Sequence, residues 1–257
     1  MDYDTIEFTV ADGVAIITLA RPAVMNALNS RMRDEIRRAV LAGGEMARAV
    51  VLTGAGRAFC SGQDLGDAAQ AIGDLGQVLR DEYEPMLKAL SDCPVPVIAA
   101  VNGTAAGAGA SLALAADVVI AAQSASFIQA FTRIGLMPDA GATWQLPRRI
   151  GLARAMGAAL FGEPITAEEA LAMGLIWEAV PDDGFEAHWR ARAAQLAAGP
   201  TVAYRAIRQA MRAGVSGSYD EQLRIEADWQ AKCGQTRDFR EGIAAFVEKR
   251  PARFEGR

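Results

Sequence analysis

Residues 94–117 read PVPVIAAVNGTAAGAGASLALAAD, and this stretch decides the fold. Residues 95–101 form a short apolar run with β-branched members, which is typical of a buried strand. Asn102 and Gly103 then predict a turn, and the Leu/Ala-rich segment from Ser111 suits a helix. The Gly/Ala-rich residues between them would let a ligand oxygen approach unpaired main-chain N–H groups at the helix start. This pattern favours a site for an oxyanion, although close packing of the helix on the strand would use the same small residues.

The amino-acid composition limits the classes of protein to which this chain can belong. The chain has 257 residues, of which 51% are hydrophobic, so one large domain with a sizeable core is expected. The net charge of −5 and the pI of about 5.1 argue against a nucleic-acid surface. Residues 103–122 are apolar, but Asp117 and the high Gly/Ala content exclude a membrane span. No signal peptide opens the chain, so we expect a cytoplasmic protein with no membrane partner.

The few cysteines and the single histidine limit the chemistry. Cys60, Cys93 and Cys233 form no CxxC pair and no metal-ligand spacing, which indicates idle thiols in a reducing compartment. His188 lies in a helical pattern and is predicted to be a surface residue. We therefore expect no metal site and no catalysis by a histidine triad.

Strands and helices alternate up to residue 199, which predicts an α/β fold, and only helices are expected after a boundary near Pro200. The predicted strands are residues 6–10 and 14–20 as a hairpin, then 49–53, 95–101, 118–121 and 126–131. The predicted helices are residues 29–42, 67–92, 142–150 with a break at Pro147, 166–174, 185–198, 201–213, 219–232 and 236–248. From Ala153 onward the pattern is almost wholly helical.

The loop GAGRAFCSGQDL at residues 54–65 follows a predicted strand. It lacks the Gly-Lys-Ser/Thr of a phosphate loop and the third glycine of a dinucleotide loop. Gly62 before Gln63 indicates a bend that exposes the N–H of Gln63, although an ordinary surface turn would read the same way.

Five segments together resemble the crotonase (enoyl-CoA hydratase/isomerase) family over essentially the whole chain. They are RPAVMNALN (21–29), GAGRAFCSGQDL (54–65), PVIAAVNGTAAGAGASLALAAD (96–117), IGLMPDAGATWQLPR (134–148) and EGIAAFVEKR (241–250). The resemblance implies a ββα spiral core that binds acyl-CoA, here residues 1–199. It also implies a C-terminal helical trimerisation region, residues 200–257, and a homotrimer or hexamer.

The resemblance also implies the site. Two main-chain N–H groups, of Gln63 and Ala108, would hold the thioester oxygen of the substrate. The residues expected to contact substrate or CoA are Val24, Ala27, Ala58, Asp64, Leu65, Phe131, Phe246 and Lys249. Two of these have competing interpretations, since Asp64 would also cap the following helix and Lys249 would also suit a solvated face. No cofactor is implied beyond the coenzyme A of the substrate.

The departures from the hydratase pattern suggest the reaction. Hydratases of the family use two glutamates to activate water, and Ser111 and Phe131 stand at the aligned positions. Asp139 is the remaining carboxylate of a family active-site segment, and one carboxylate can move a proton between two carbons. The resemblance thus implies an acyl-CoA isomerase, closest to the branch that isomerises the ring epoxide of phenylacetyl-CoA and shifts enoyl-CoA double bonds.

Three alternatives remain open from the residues. Asp139 would also serve as an ordinary helix cap before Ala142. The chain would alternatively be an enoyl-CoA hydratase, or a non-catalytic CoA-binding member of the fold.

Overall fold

Two sheets form the core of the structure, a computed structural model that describes residues 2–66 and 74–257. The larger sheet has six strands in the order β1-β2-β3-β5-β7-β10, and the smaller has four in the order β4-β6-β8-β9. The strands are β1 (Ile6–Ala11), β2 (Val14–Leu19), β3 (Ala49–Gly54), β4 (Ala58–Cys60), β5 (Val97–Val101), β6 (Thr104–Ala106), β7 (Val118–Ala122), β8 (Ser126–Ile128), β9 (Pro164–Thr166) and β10 (Glu178–Val180).

Ten numbered helices accompany these strands in the described part of the chain. They are α1 (Ser30–Met46), α2 (Leu75–Val78), α3 (Glu84–Asp92), α4 (Ala108–Leu114), α5 (Ala142–Phe161), α6 (Ala167–Ala172), α7 (Phe185–Ala197), α8 (Thr201–Gly214), α9 (Tyr219–Gly234) and α10 (Arg237–Glu248). A π-helical turn, Leu79–Tyr83, joins α2 to α3, and short 3-10 helices cover Pro22–Val24 and Ala130–Ile134.

The chain alternates between the two sheets as it proceeds. The successive pairs β3/β4, β5/β6 and β7/β8 each place one strand in the larger sheet and the next in the smaller. Within each sheet these strands pair in parallel, and only β1 on β2 and β9 on β8 are antiparallel. Strand β5 is buried along its whole length at the centre of this arrangement, as its unbroken apolar sequence predicts.

Several sequence predictions are confirmed. The hairpin of β1 and β2 turns on Asp12 and Gly13, with Ala11 paired to Val14. Asn29 caps α1, since its side chain accepts a hydrogen bond from the N–H of Met32 at 2.9 Å. The α/β class is confirmed, and only helices follow residue 200 among the described elements. The first seven residues of the predicted helix at 67–92 lie outside the described residues.

Other predictions need correction. The region after Ala153 is not wholly helical, because it contributes β9 to the smaller sheet and β10 to the larger. The predicted strand at 126–131 ends at Ile128, and a 3-10 helix follows. Pro147 does not break α5. The helical conformation is interrupted at Gly151, with φ of 75° and ψ of 159°, which a residue without a Cβ adopts easily.

A buried ion pair fastens the C-terminal helices to the sheets. The Arg208 guanidinium of α8 donates to Asp117 at 2.6 Å, and Arg212 donates to the same carboxylate at 2.7 Å. Asp117 also accepts from the N–H of Val97 at the start of β5, so α8 is tied directly to the central strand. In residues 2–66 and 74–257 no helix has the length and apolar character needed to cross a bilayer.

Candidate active site

Three neighbouring strands of the smaller sheet end at one edge. Strands β4, β6 and β8 run parallel and pair in that order, so their carboxyl ends lie side by side. The chain continues from these ends to Gln63, to Ala108 and to Phe131 respectively. Ligands of α/β proteins commonly bind beyond the carboxyl ends of such strands, and three predicted site residues thus come together although they are far apart in the sequence.

The N–H of Gln63 points away from its only strand-like partner. Leu28 bridges Gln63 in parallel, donating to the carbonyl of Gly62 at 2.7 Å and accepting from the N–H of Asp64 at 3.0 Å. This pairing uses the groups on either side of Gln63, and its own N–H has no acceptor among the described residues. Gly62 makes the bend possible with φ of 94°, a conformation that residues with a side chain rarely adopt.

The N–H of Ala108 is the second donor that has no acceptor in residues 2–66 and 74–257. Ala108 is the first residue of α4, where the helix itself offers no acceptor for the N–H. A Cβ added to Gly62 would lie 3.3 Å from the nitrogen of Ala108, so the two loops are in direct contact. Helix α4 approaches β4 even more closely, since a Cβ on Gly109 would lie 2.3 Å from the carbonyl oxygen of Cys60. The small residues therefore serve packing and bring the two donors together.

Asp139 lies in the segment that leads into α5. Its main chain is held, because its carbonyl oxygen accepts from the N–H of Ala142 at 2.9 Å and from the hydroxyl of Ser111 at 3.0 Å. Its carboxylate is not held, since buried Oδ1 has no hydrogen-bond partner in the described structure. Burial raises the pKa of Asp139 from 3.8 to about 6. The side chain does not cap α5, whose N-cap is Gly141, so the helix-cap interpretation is wrong.

Ser111 and Phe131, the two residues that the resemblance aligns with the hydratase glutamates, have structural roles in this chain. Ser111 is fully buried, and its hydroxyl donates to the carbonyls of Asp139 and Gly107. Phe131 is buried in the 3-10 helix after β8, and its ring lies 3.9 Å from the place of a Cβ on Gly107. Neither residue offers an acid or a base to a bound water.

A cavity of about 1360 Å³ joins these groups. Gln63, Ala108, Phe131 and Asp139 all border it, and so does Leu65. Most of the remaining wall is apolar and comes from the segment leading into α3 and from the loop before Asp139: Leu75, Val78, Leu79, Tyr83, Leu87, Ile134, Leu136, Met137 and Pro138. The volume and lining suit an acyl chain or a ring.

Two residues near Gln63 carry polar contacts that the sequence did not reveal. Tyr83, which reads as part of an apolar helical stripe, donates its hydroxyl to Oε1 of Gln63. Arg33, buried in α1, donates to the same oxygen at 3.0 Å. No motif marks either residue, and only the folded chain brings α1 and the π turn to this loop.

Other predicted contacts lie outside the cavity wall. Asp64 forms an ion pair with Arg21 at 2.8 Å and accepts from the N–H of Gly66, as a helix cap would. Ala27 and Ala58 are buried, whereas Val24 and Phe246 are exposed. Lys249 ends α10 in the left-handed conformation. Contact of these residues with substrate or CoA stays a prediction.

Comparison with known proteins agrees with this geometry. The profile of the family described as enoyl-CoA hydratase/isomerase matches residues 9–257. The chain belongs to the enoyl-CoA hydratase/isomerase family. An enoyl-CoA hydratase from Bacillus anthracis, solved as a crystal structure, superposes with a TM-score of 0.91 at 33% identity, over 99% of this chain and 100% of that one. The predicted crotonase-like fold is therefore confirmed.

Relatives within the enoyl-CoA hydratase/isomerase family carry different activity names. A protein of Rhodobacter capsulatus named probable enoyl-CoA hydratase is 64% identical over the full length of both chains. The 1,2-epoxyphenylacetyl-CoA isomerase of Escherichia coli K12 is 43% identical, over 96% of this chain and 97% of its own. Sequence similarity thus establishes an enzyme family that acts on acyl-CoA and leaves the reaction to be argued from the site.

Proposed function

We propose that this protein is an acyl-CoA isomerase that moves a proton through a thioester enolate. The N–H groups of Gln63 and Ala108 hold the thioester oxygen, on which negative charge develops when the α-carbon loses its proton. Such preorganised donors act most strongly in a site that excludes water, and each contributes roughly 2.7–4 kcal/mol of barrier reduction.

Asp139 is the group that takes and returns the proton. With a 3-enoyl-CoA, its carboxylate removes a proton from the α-carbon, and the same proton returns to the γ-carbon of the dienolate. The product is the conjugated 2-enoyl-CoA, so atoms and charge balance within one molecule. A base with a pKa of about 6 is largely ionised at neutral pH and returns a proton readily.

The observation that carries the proposal is the distribution of carboxylates. Of the described residues that border the cavity, Asp139 and Glu84 are the carboxylates, and Glu84 is exposed at the start of α3. Hydration as the family performs it needs two glutamates, and Ser111 and Phe131 replace them. A single sheltered carboxylate supports proton transfer between carbons rather than activation of water.

The proposed substrates are the ring-1,2-epoxide of phenylacetyl-CoA, converted to the seven-membered oxepin-CoA, and 3-enoyl-CoA, converted to 2-enoyl-CoA. The name of the Escherichia coli relative and the apolar cavity with Phe131 in its wall support the first. We also propose that the protein assembles as a homotrimer or hexamer and is located in the cytoplasm. The proposed reaction uses no cofactor beyond the coenzyme A of the substrate.

The test compares three substrates with the full-length protein. A β,γ-unsaturated acyl-CoA and the aryl epoxide-CoA should each be isomerised, and crotonyl-CoA should give little 3-hydroxybutyryl-CoA by chromatography. Rapid hydration of crotonyl-CoA would favour the hydratase alternative. Binding of acyl-CoA without exchange of its α-protons in D₂O would favour the alternative of a non-catalytic CoA-binding protein.

A further inference from the structure

The side chain of Gln63 is held by a polar cluster behind the proposed oxyanion site. The cluster consists of Arg33, Gln63, Glu82 and Tyr83. Oε1 of Gln63 accepts from Nη1 of Arg33 at 3.0 Å and from the hydroxyl of Tyr83. Arg33 also donates to Glu82 at 2.6 and 2.8 Å and lies 4.8 Å from the centre of the Tyr83 ring.

The direction of these hydrogen bonds is fixed by chemistry. A guanidinium can only donate, so the amide of Gln63 must turn its oxygen toward Arg33. A carbonyl oxygen can only accept, so the Tyr83 hydroxyl must donate to it. The Tyr83 proton is therefore committed to Gln63 even though Tyr83 borders the substrate cavity.

The cluster also holds the main chain of Leu28, which pairs with the bend. Nη1 of Arg33 donates to the carbonyl of Leu28 at 2.8 Å, and that carbonyl also accepts from the N–H of Asp64. Arg33 is 1% exposed, so these bonds are sheltered from water. The loop is thus tied to α1 through Arg33 and to the π turn through Tyr83. Single π turns inside helices are frequent at functional sites.

We propose that Tyr83, together with Arg33, is a positioning residue that fixes the direction of the Gln63 main-chain N–H toward the thioester oxygen. This inference rests on the proposed function, because it gives that N–H its role. Tyr83 acts through Gln63 and transfers no proton itself.

The first experiment replaces the hydroxyl alone. In Tyr83→Phe the ring and its contact with Arg33 remain, while one donor to Gln63 is lost. A hydrogen bond of this kind contributes about 1 kcal/mol net, so kcat for a β,γ-unsaturated acyl-CoA should fall about fivefold with KM changed less than twofold. Tyr219→Phe, at an exposed residue of α9, is the matched control and should leave both constants unchanged.

A double-mutant cycle separates positioning from a direct role. Gln63→Met removes the amide that Tyr83 and Arg33 hold and keeps the main-chain N–H. If Tyr83 acts through Gln63, adding Tyr83→Phe to the Gln63→Met variant should lower kcat no further. An equal loss from Tyr83→Phe in both backgrounds would overturn the inference, and so would unchanged kcat in the single variant.

A spectroscopic measurement distinguishes this inference from the proposed function. Donors on a thioester oxygen polarise a bound conjugated acyl group, so 2,4-hexadienoyl-CoA should absorb at longer wavelength when bound to the wild-type protein. Tyr83→Phe should reduce that shift at saturating ligand. If the variant shows the full shift, only the positioning role of Tyr83 is refuted. If the wild-type protein shows no shift, the oxyanion site is refuted and the inference with it.

Discussion

Replacing Asp139 by asparagine should make the protein more stable and nearly inactive. Burial raises the pKa of this carboxyl from 3.8 to about 6, so the folded state disfavours its charge. A difference of about two pKa units corresponds to about 3 kcal/mol if the carboxylate were fully sheltered. It is only half-buried, and solvent screening reduces the expected effect to about 1–2 kcal/mol.

The size of the effect on stability depends on pH. Below pH 4 the carboxyl is protonated in both states, and folding incurs no penalty from it. Between about pH 4 and pH 6 the unfolded chain ionises first, so the wild-type protein loses stability as pH rises. Above pH 6 the loss is complete. Asp139→Asn should therefore unfold about 2–8 °C higher than the wild type at pH 8, with the advantage vanishing near pH 4.

Activity should show the opposite dependence. The ionised carboxylate is the proposed base, so kcat/KM of the wild type should rise tenfold per pH unit up to about pH 6 and then level off. Asp139→Asn should lose roughly 10²–10⁴-fold in kcat, as loss of a general base usually does.

The assay combines thermal unfolding at pH 4, 6 and 8 with isomerisation of a β,γ-unsaturated acyl-CoA. Asp228→Asn, at an exposed position of α9, is the matched control and should shift neither measurement. Near-normal turnover by folded Asp139→Asn would refute the assignment of the base. An unfolding temperature that does not rise at pH 8 would refute the argument from burial.

Two further predictions concern the backbone of the site and its attachment to the C-terminal helices. Gly62→Ala should lower kcat at least tenfold, because its Cβ would lie 2.7 Å from the carbonyl oxygen of Ala106 and force the two loops apart. The control Gly157→Ala, whose Cβ would meet nothing within 4 Å, should keep full activity, and equal kinetics for both would contradict the close approach. Asp117→Asn should lower the unfolding temperature by about 4–10 °C, because Arg208 would keep its buried charge without a carboxylate partner. Calorimetry against Asp228→Asn checks this, and an unchanged transition would show that the ion pair contributes nothing.

Local sequence signals indicated the backbone features of the proposed oxyanion site, and the resemblance assigned its two N–H groups to Gln63 and Ala108. The apolar run of β5, the turn at Asn102 and the small residues before Ser111 each restrict the backbone within a few positions. The signal at Gly62 is also local, because glycine adopts the positive φ of this position more easily than other residues do. Asp139 needed the resemblance, because an aspartate before a helix has a second and commoner interpretation as a cap.

The short elements and the supporting cluster could not be predicted. Strands β9 and β10 have three residues each, which is too few to show an alternating pattern. They are recognised only by their pairing with β8 and β7. Tyr83 falls on the apolar stripe of its helical segment, and no motif marks Arg33 in α1. Their roles arise from contacts across 20 and 30 residues of sequence to Gln63, which no local pattern records.

The two relatives carry different activity names, and overall identity gives no weight to the individual positions where the chemistry differs. In the proposed function Asp139 acts as the sheltered carboxylate, and Phe131 borders the same cavity. A carboxylate there would border the same cavity as Asp139, and like charges would raise the pKa of Asp139 further. A larger fraction of Asp139 would then be protonated at neutral pH, which would weaken it as the proposed base. In the proposed mechanism Phe131 thus places no charge beside Asp139, and burial is what raises the pKa of Asp139 to about 6.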